Sequence, residues 1–127
     1  IRDSSIKIPI FKKNIFKAFK ISKRFDDDIS SVCGSFNFEI DKNKIKEVFI
    51  AFGGMAAVPK RAKACEKILK NKPLNLSTFN QAKNYLDKDL SPIGDMRASK
   101  EYRLEIAKNL LMKCFVEIHS NKLTRVN

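Results

Sequence analysis

The chain has 127 residues, which suits one domain with a modest core. Hydrophobic residues make up 43% of it and charged residues 31%, which excludes an intrinsically disordered protein. No apolar run reaches the roughly 20 residues that a membrane span needs. The net charge of +12 raises a nucleic-acid or acidic-surface partner as an alternative, but the lysines are spread from Lys7 to Lys122 without a dense basic block.

The chain begins at Ile1 without a methionine, and its opening DSSIKIPI is typical of a strand in mid-course, so we expect a piece of a longer protein. Cys33, Cys65 and Cys114 are too far apart for a disulfide framework or a CxxC metal site. Each lies among apolar residues, which indicates buried free thiols in a reducing cytoplasm. A reactive or metal-bound cysteine is the alternative, but the single histidine, His119, falls at the end of a helical pattern and outside ligand spacing.

The first half of the chain alternates with period two and predicts strands at residues 6–10, 16–23, 32–40 and 45–52. Pro9 restricts the first of these to an edge or an end of a sheet. The polar residues 41–44 predict the turn between the last two. We expect an antiparallel meander with one buried face.

From Pro59 onward the period is near 3.6 and predicts three helices. The first opens at Pro59, the second takes Ser77 as its N-cap, and the third spans residues 99–119. The predicted inward stripe of the third helix comprises Leu104, Ala107, Leu111, Cys114, Phe115 and Ile118. The predicted fold class is therefore α+β: an antiparallel β-meander of three to four strands followed by three helices, packed as a two-layer sandwich over a single domain, residues 1–127.

Residues 20–28, KISKRFDDD, concentrate Lys20, Lys23 and Arg24 against three successive aspartates. Opposite charges on a loop that leaves the sheet can pair in water, where each pair contributes about 0–1 kcal/mol. That interpretation explains the solubility of the segment but not its charge density. A redox cofactor such as a flavin is the alternative, because cations beside its reduced ring stabilise the reduced form. From the residues alone both interpretations stay open.

Residues 51–62, AFGGMAAVPKRA, join a strand to a helix through two glycines that permit positive φ and close backbone approach. The N-terminus of the following helix is a possible anion site. A tight turn between strand and helix accounts for the same residues, and Arg61 can equally face water.

Residues 95–103, DMRASKEYR, place a candidate N-cap, Ser99, before a helix. Arg97 and Arg103 lie near the start of that helix, where the macrodipole does not favour cations. We therefore expect them to reach a specific partner, such as Asp95 or a carboxylate of a neighbouring subunit. This favours a structural or interface role over contact with a ligand.

The chain contains no nucleophile–base pair, no paired-carboxylate pattern and no phosphate-binding GxxxxGK loop. We therefore predict no catalytic residue and no metal site in this chain.

In this order and at these spacings the three segments resemble the C-terminal part of the FAD-binding domain of the xanthine dehydrogenase family, which is like the C-terminal domain of the CO dehydrogenase flavoprotein. The resemblance covers residues 6–118 and is closest to bacterial enzymes with a small flavin-containing subunit. It implies FAD, shared with an N-terminal part, and iron–sulfur clusters and a molybdenum cofactor elsewhere in the complex. In the family, hypoxanthine or xanthine is hydroxylated at molybdenum, and electrons pass through the clusters and FAD to NAD.

The resemblance also implies roles for single residues. Lys20 matches a lysine that contacts FAD, and Arg24 and Asp27 match charged residues of a loop beside the isoalloxazine ring. Asp3 falls at a flavin-contacting position that is usually apolar in the family. Phe25 replaces an arginine that vertebrate members use to switch between dehydrogenase and oxidase forms, so we expect no such switch. The matches at Gly53, Gly54, Arg97 and Arg103 imply structural or interfacial positions.

The resemblance implies part of a cytoplasmic oxidoreductase that is inactive when isolated from its complex. The expected partners are the FAD-binding N-terminal part, the iron–sulfur domain, the molybdenum subunit and NAD, with no membrane. A non-catalytic subunit-docking module and a basic nucleic-acid-binding domain are the alternatives.

Overall fold

The computed structural model describes residues 4–10, 13–24 and 29–120. Within them, one antiparallel sheet has its strands in chain order, and the helices pack on one of its faces. The strands are β1 (Asn14–Ile21), β2 (Val32–Asp41), β3 (Lys44–Gly53) and β4 (Lys60–Arg61). The helices are α1 (Lys63–Leu69), α2 (Leu76–Lys83), α3 (Leu86–Asp89) and α4 (Lys100–Ser120). The predicted α+β fold is confirmed.

The period-two pattern of β2 and β3 decides which face of the sheet is buried. Phe36 pairs with Ile50 and Phe38 with Val48, and all four side chains point into the core. The connecting turn places Lys42 and Asn43 at φ values of 48° and 59°, the left-handed conformation that tight hairpin turns require. The prediction of a turn at residues 41–44 is confirmed.

Aromatic rings join the sheet to the helices. Phe38 stacks on Phe79 of α2 with 5.9 Å between ring centroids, and Phe79 lies 4.8 Å from Phe115 of α4. Such pairs add about 0.5–1.5 kcal/mol each beyond the area they bury. The predicted stripe of α4 is largely confirmed, since its members Ala107, Leu111, Cys114 and Phe115 are buried and the other two are half-buried.

Buried carboxylates hold the short helices in place. Asp89, at the end of α3, accepts hydrogen bonds of 2.9 Å from the backbone N–H groups of Ala64 and Cys65 in the first turn of α1. Glu66 accepts one of 2.7 Å from the backbone N–H of Ile50 and two from Arg61. The packing of α1 therefore depends on polar contacts as well as on apolar burial.

Two predicted boundaries are wrong. Pro59 does not open a helix, because the next two residues pair with β3 as strand β4 and α1 begins only at Lys63. Ser77 is not the N-cap of α2. The side chain of Asn75 accepts a 2.9 Å hydrogen bond from the backbone N–H of Thr78 and caps the helix two residues earlier.

The predicted strand at residues 6–10 is also wrong. These residues are not in a strand, and Ile6, Ile8 and Ile10 are 89%, 76% and 91% exposed. An alternating segment becomes a strand only when another strand pairs with it. No such partner occurs in the described ranges 4–10, 13–24 and 29–120.

All three cysteines are free. Burial, and to a lesser degree the charge of Glu117, raises the pKa of Cys114 to about 12, and burial likewise raises the pKa of Cys65. The prediction of buried thiols is confirmed for these two and wrong for Cys33, which is half-buried on the other face of the sheet. His119 is exposed in the last turn of α4, as predicted.

Neither a metal centre nor a membrane span is formed by the described part of the chain. Residues 4–10, 13–24 and 29–120 bring together no group of three or more potential metal ligands. Over the same ranges, none of the helices combines the length and the apolar character that crossing a bilayer requires.

Replacing Asp89 by alanine should lower the free energy of unfolding by roughly 2 kcal/mol or more, because two backbone N–H groups at the start of α1 lose their acceptor. Urea unfolding measures the change. The matched control is Asp87→Ala, since Asp87 is half exposed and pairs with Lys108 at the surface. It should cost at most about 1 kcal/mol. Equal losses in the two variants would contradict the capping role of Asp89.

Candidate functional site

Two of the segments singled out in the sequence, residues 51–62 and 95–103, meet around the side chain of Arg103 in the first turn of α4, together with Ser31 just before β2. Its Nη1 donates hydrogen bonds to the carbonyl oxygens of Ser31 and of Gly54, the latter at 2.9 Å. Its Nη2 donates to Asp95 Oδ1 at 2.8 Å. One guanidinium therefore joins the segment before β2, the segment after β3 and the turn before α4. The prediction that Arg103 reaches Asp95 is confirmed.

Arg103 is buried almost completely, with 4% of the residue exposed. A buried cation is stable in a protein only when a carboxylate and further acceptors surround it. Asp95 and the two carbonyl oxygens supply those acceptors. Among the described residues, the Nε of Arg103 is buried without a hydrogen-bond partner.

The carboxylate of Asp95 fixes the backbone turn formed by the residues that follow it. Its Oδ1 accepts hydrogen bonds from the backbone N–H groups of Arg97 at 2.9 Å and Ala98 at 3.2 Å, in addition to the one from Arg103. The N–H of Arg97 in the first place, and then the guanidinium of Arg103, hold the pKa of Asp95 below its ordinary value. Ser99 follows as the predicted N-cap, with its Oγ accepting from the N–H of Tyr102 at 3.2 Å.

Gly54 is at this position because no side chain fits. Its φ is +77°, and a Cβ atom built on it would lie 2.5 Å from the carbonyl oxygen of Ser31. Close backbone approach is therefore confirmed for Gly54. At Gly53 a Cβ atom would lie an ordinary 3.7 Å from the Cβ atom of Cys33.

The predicted anion site at the start of the first helix is wrong. The N–H groups of Ala64 and Cys65 that would bind an anion already donate to the carboxylate of Asp89. The protein thus supplies its own anion at that helix end.

The segment after β1 leaves the sheet at the same end as Arg103. The backbone N–H of Ser31 donates to the carbonyl of Ile21 at 2.7 Å, which closes the base of the segment. Lys23 Nζ donates to the carbonyl of Met96 at 2.7 Å. Arg24 is exposed, and its carbonyl accepts from Ser22 Oγ at 2.8 Å.

The structure describes two of the four predicted cofactor-binding residues. Lys20 is exposed on β1, on the face opposite the core, and pairs in register with Cys33 of β2. Arg24 lies four residues further on. Asp3 and Asp27 lie outside the described residues, as does Phe25.

An open cleft of about 390 Å³ lies between the segment after β1 and the start of α4. Its lining residues carry two cations and four hydroxyl groups: Ser22, Lys23, Ser31, Arg97, Ala98, Ser99 and Tyr102. These groups suit an anionic or electron-rich ligand. Ser31 and Tyr102 were not predicted as lining residues, since isolated serines and tyrosines carry no distinctive motif.

The described geometry is that of an α+β domain with a cationic cleft at one end of its sheet. Residues 17–118 match the family model of the CO dehydrogenase flavoprotein C-terminal domain. The chain belongs to this family of flavoprotein domains.

Curated relatives agree with this assignment. The chain is 32% identical over 99 residues to the xanthine dehydrogenase FAD-binding subunit of Escherichia coli, a match that covers 78% of this chain and 34% of that subunit. It is 30% identical over 118 residues to the glyceraldehyde dehydrogenase medium chain of Sulfolobus acidocaldarius, covering 91% of this chain and 41% of the relative. The chain thus spans about a third of the length of the first relatives that it matches.

Solved structures share the fold at lower identity. The carbon monoxide dehydrogenase of Hydrogenophaga pseudoflava is similar with a TM-score of 0.75 and 17% identity, over 80% of this chain and 35% of that one. Quinoline 2-oxidoreductase of Pseudomonas putida 86 is similar with a TM-score of 0.73 and 18% identity, over 86% and 38%.

Replacing Gly54 by alanine should lower the free energy of unfolding by roughly 2 kcal/mol or more, because the new side chain is strained at positive φ and collides with Ser31. Thermal or urea unfolding measures this. Gly53→Ala is the control and should stay within about 1 kcal/mol of wild type. If Gly54→Ala is as stable as the control, the described approach to Ser31 is incorrect.

Stability should fall in acid partly through Asp95. Its pKa is lower in the folded chain than in the unfolded chain, so its contribution is complete above the ordinary aspartate pKa of about 3.9. The contribution is lost as the pH falls through the lower folded value. Urea midpoints between pH 7 and pH 3 should therefore drop less steeply in Asp95→Asn than in wild type. Parallel pH profiles would contradict this account.

Proposed function

We propose that this chain is the C-terminal part of the FAD-binding domain of a molybdenum hydroxylase, and that residues 1–127 are one domain of a longer protein. Its role is to form one wall of the flavin site. The observation that carries the proposal is a cationic cleft, lined by Lys23 and Arg97, between the segment after β1 and the turn that Arg103 joins to Ser31 and Gly54. The family match and the greater length of the relatives support it.

The groups at this end of the sheet fit a flavin. A reduced flavin ring carries negative charge, so nearby cations stabilise it relative to the oxidised ring. Lys20 and Arg24 are exposed there, and Lys23 and Arg97 line the adjacent cleft. We assign Lys20 and Arg24 as flavin contacts, together with Asp27 and Asp3. When bound, FAD would pass electrons between single-electron clusters and a two-electron acceptor.

This chain holds only part of the cofactor in our proposal. Its sequence contains no glycine-rich motif for the diphosphate of FAD, and the helix end that could bind an anion is capped by Asp89. We therefore expect the N-terminal part of the same protein to bind the rest of FAD. The chain alone would bind FAD weakly or not at all and would have no turnover.

We propose hypoxanthine or xanthine as the substrate of the whole enzyme and NAD as its electron acceptor. The likeness to the FAD-binding subunit from Escherichia coli and the 32% identity over 109 residues to xanthine dehydrogenase of Drosophila subobscura support the purine assignment. An aldehyde is the second candidate substrate, because the glyceraldehyde dehydrogenase medium chain matches over more of this chain.

The remaining partners in this proposal are an iron–sulfur domain and a molybdenum subunit, which carry the clusters and the molybdenum cofactor. We place the complex in the cytoplasm, where reducing conditions keep the three free thiols reduced. A docking role is part of this account, because the C-terminal domain must contact the other components.

Nucleic-acid binding is less well supported. Single-stranded nucleic acid is bound by exposed aromatic rings within a basic groove. Here Phe36, Phe38, Phe52 and Phe79 are fully buried in the core. Several lysines are paired with carboxylates, such as Lys70 with Glu47 at 2.5 Å. The net charge alone is therefore a weak argument for such a partner.

In the intact enzyme, Lys20→Ala should reduce the flavin content, because a contact to FAD is lost. It should also lower the rate of NAD reduction about tenfold, which corresponds to about 1.4 kcal/mol less stabilisation of the transition state. The control is Lys46→Ala, an exposed lysine of β3 that pairs with Asp41 at the other end of the sheet. It should behave as wild type. Unchanged flavin content and unchanged NAD reduction in Lys20→Ala would contradict the assignment of Lys20.

A further inference from the structure

The turn before α4 is fastened to the segment after β1 at two points. The first anchor is the hydrogen bond from Lys23 Nζ to the carbonyl of Met96. The second is the hydrogen bond from Arg103 to the carbonyl of Ser31. The anchors hold the chain at Lys23 and at Ser31, and Arg24 directly follows the first of them. Both ends of the segment are thus held by one short stretch, residues 95–103.

Asp95 couples the two anchors. Its Oδ1 accepts from the backbone N–H groups of Arg97 and Ala98, which bends the chain so that the carbonyl of Met96 is available to Lys23. The same oxygen accepts from Nη2 of Arg103 and fixes the guanidinium. If one of the two hydrogen bonds is lost, the carboxylate of Asp95 can move, and this weakens the other hydrogen bond.

Arg103 also fixes the end of the sheet itself. Near this end of the sheet Lys20 lies opposite Cys33, Cys33 lies opposite Gly53, and Ile21 with Val32 is the last β1–β2 pair. Just outside β2 and β3, Arg103 binds the carbonyls of Ser31, which precedes β2, and of Gly54, which follows β3. Ser31 also donates its backbone N–H to the carbonyl of Ile21, the residue after Lys20, so Arg103 is linked to the end of β1 through Ser31.

We propose that Arg103 is a positioning residue for the flavin: through Ser31 it holds the end of β1 beside Lys20, and through Asp95 it holds the turn that binds Lys23 beside Arg24. It thereby sets where Lys20 and Arg24 lie and so sets the reduction potential of the flavin. The inference rests on the proposed function. Arg103 itself is buried and acts through those two cations. Because the energy between charges depends on their separation, Lys20 and Arg24 stabilise the reduced flavin less when they are held less firmly. Loss of Arg103 should therefore lower the potential.

The test is the flavin midpoint potential of the intact flavoprotein, measured by reductive titration against reference dyes. Arg103→Gln should change the ratio of reduced to oxidised flavin about tenfold at a fixed potential, which equals a fall of about 30 mV for a two-electron couple. Arg103→Lys should restore part of the difference, because an ammonium keeps the charge but cannot reach all three acceptors in the planar geometry of a guanidinium.

A destabilised domain could by itself disturb the flavin, so the matched control removes a buried polar contact elsewhere. Asp89→Ala breaks two hydrogen bonds between α3 and α1 and touches neither anchor. It should unfold more easily than wild type but keep the wild-type potential. A fall in its potential as large as that of Arg103→Gln would overturn the positioning role.

Asp95→Asn and Lys23→Gln keep the test decisive if Arg103→Gln does not fold. Each alters one of the coupled contacts through a side chain that is not buried, and each should lower the potential. Flavin-loaded variants with an unchanged or raised potential would overturn the positioning role and leave the proposed function standing. A wild-type flavoprotein that binds no flavin would overturn both.

Discussion

The guanidinium of Arg103 carries a full charge at a place where almost no water reaches it, and this constraint organises one end of the molecule. Removing an ion from water costs several kcal/mol unless its hydrogen bonds are replaced. The replacements come from Ser31, Gly54 and Asp95, which are 72, 49 and 8 residues away in the chain. The folded state must therefore bring these segments together whenever α4 packs on the sheet.

Elsewhere in the helix layer the buried charged group is a carboxylate, and cations or N–H groups surround it. Glu117, which is 3% exposed, accepts a hydrogen bond of 2.6 Å from Lys113 and lies 3.6 Å from Lys17 of β1. Asp89 caps α1, and Glu66 joins α1 to β3. Apolar burial supplies most of the driving force for folding, while these buried charges determine how the elements are placed.

Local patterns predicted the parts of the fold that local physics decides. The alternation of β2 and β3 and the stripe of α4 follow from which side chains must avoid water, and both are confirmed. Residues 6–10 have the same alternation but no partner strand among the described residues. Pro59 and Ser77 fit a helix start by residue type, but pairing of β4 with β3 and capping by Asn75 moved both boundaries.

The site was predictable only in part, because some of its contacts join residues that are far apart in the sequence. Two arginines beside a helix start indicated a specific carboxylate, and Asp95 was near enough in sequence to be named. Ser31 and Gly54 offer carbonyl oxygens, which every residue has, so nothing in their side chains identifies them as partners of Arg103. The positive φ of Gly54 was foreseeable, whereas the atom that makes it necessary was not.

The central claim, that this end of the sheet forms a wall of the flavin site, is tested most directly by hydrogen–deuterium exchange of the intact flavoprotein with and without FAD. FAD should slow exchange in residues 20–24, 53–55 and 95–103 together, because they share one hydrogen-bonded network. Slower exchange elsewhere in the flavoprotein, with these three segments unchanged, would contradict it.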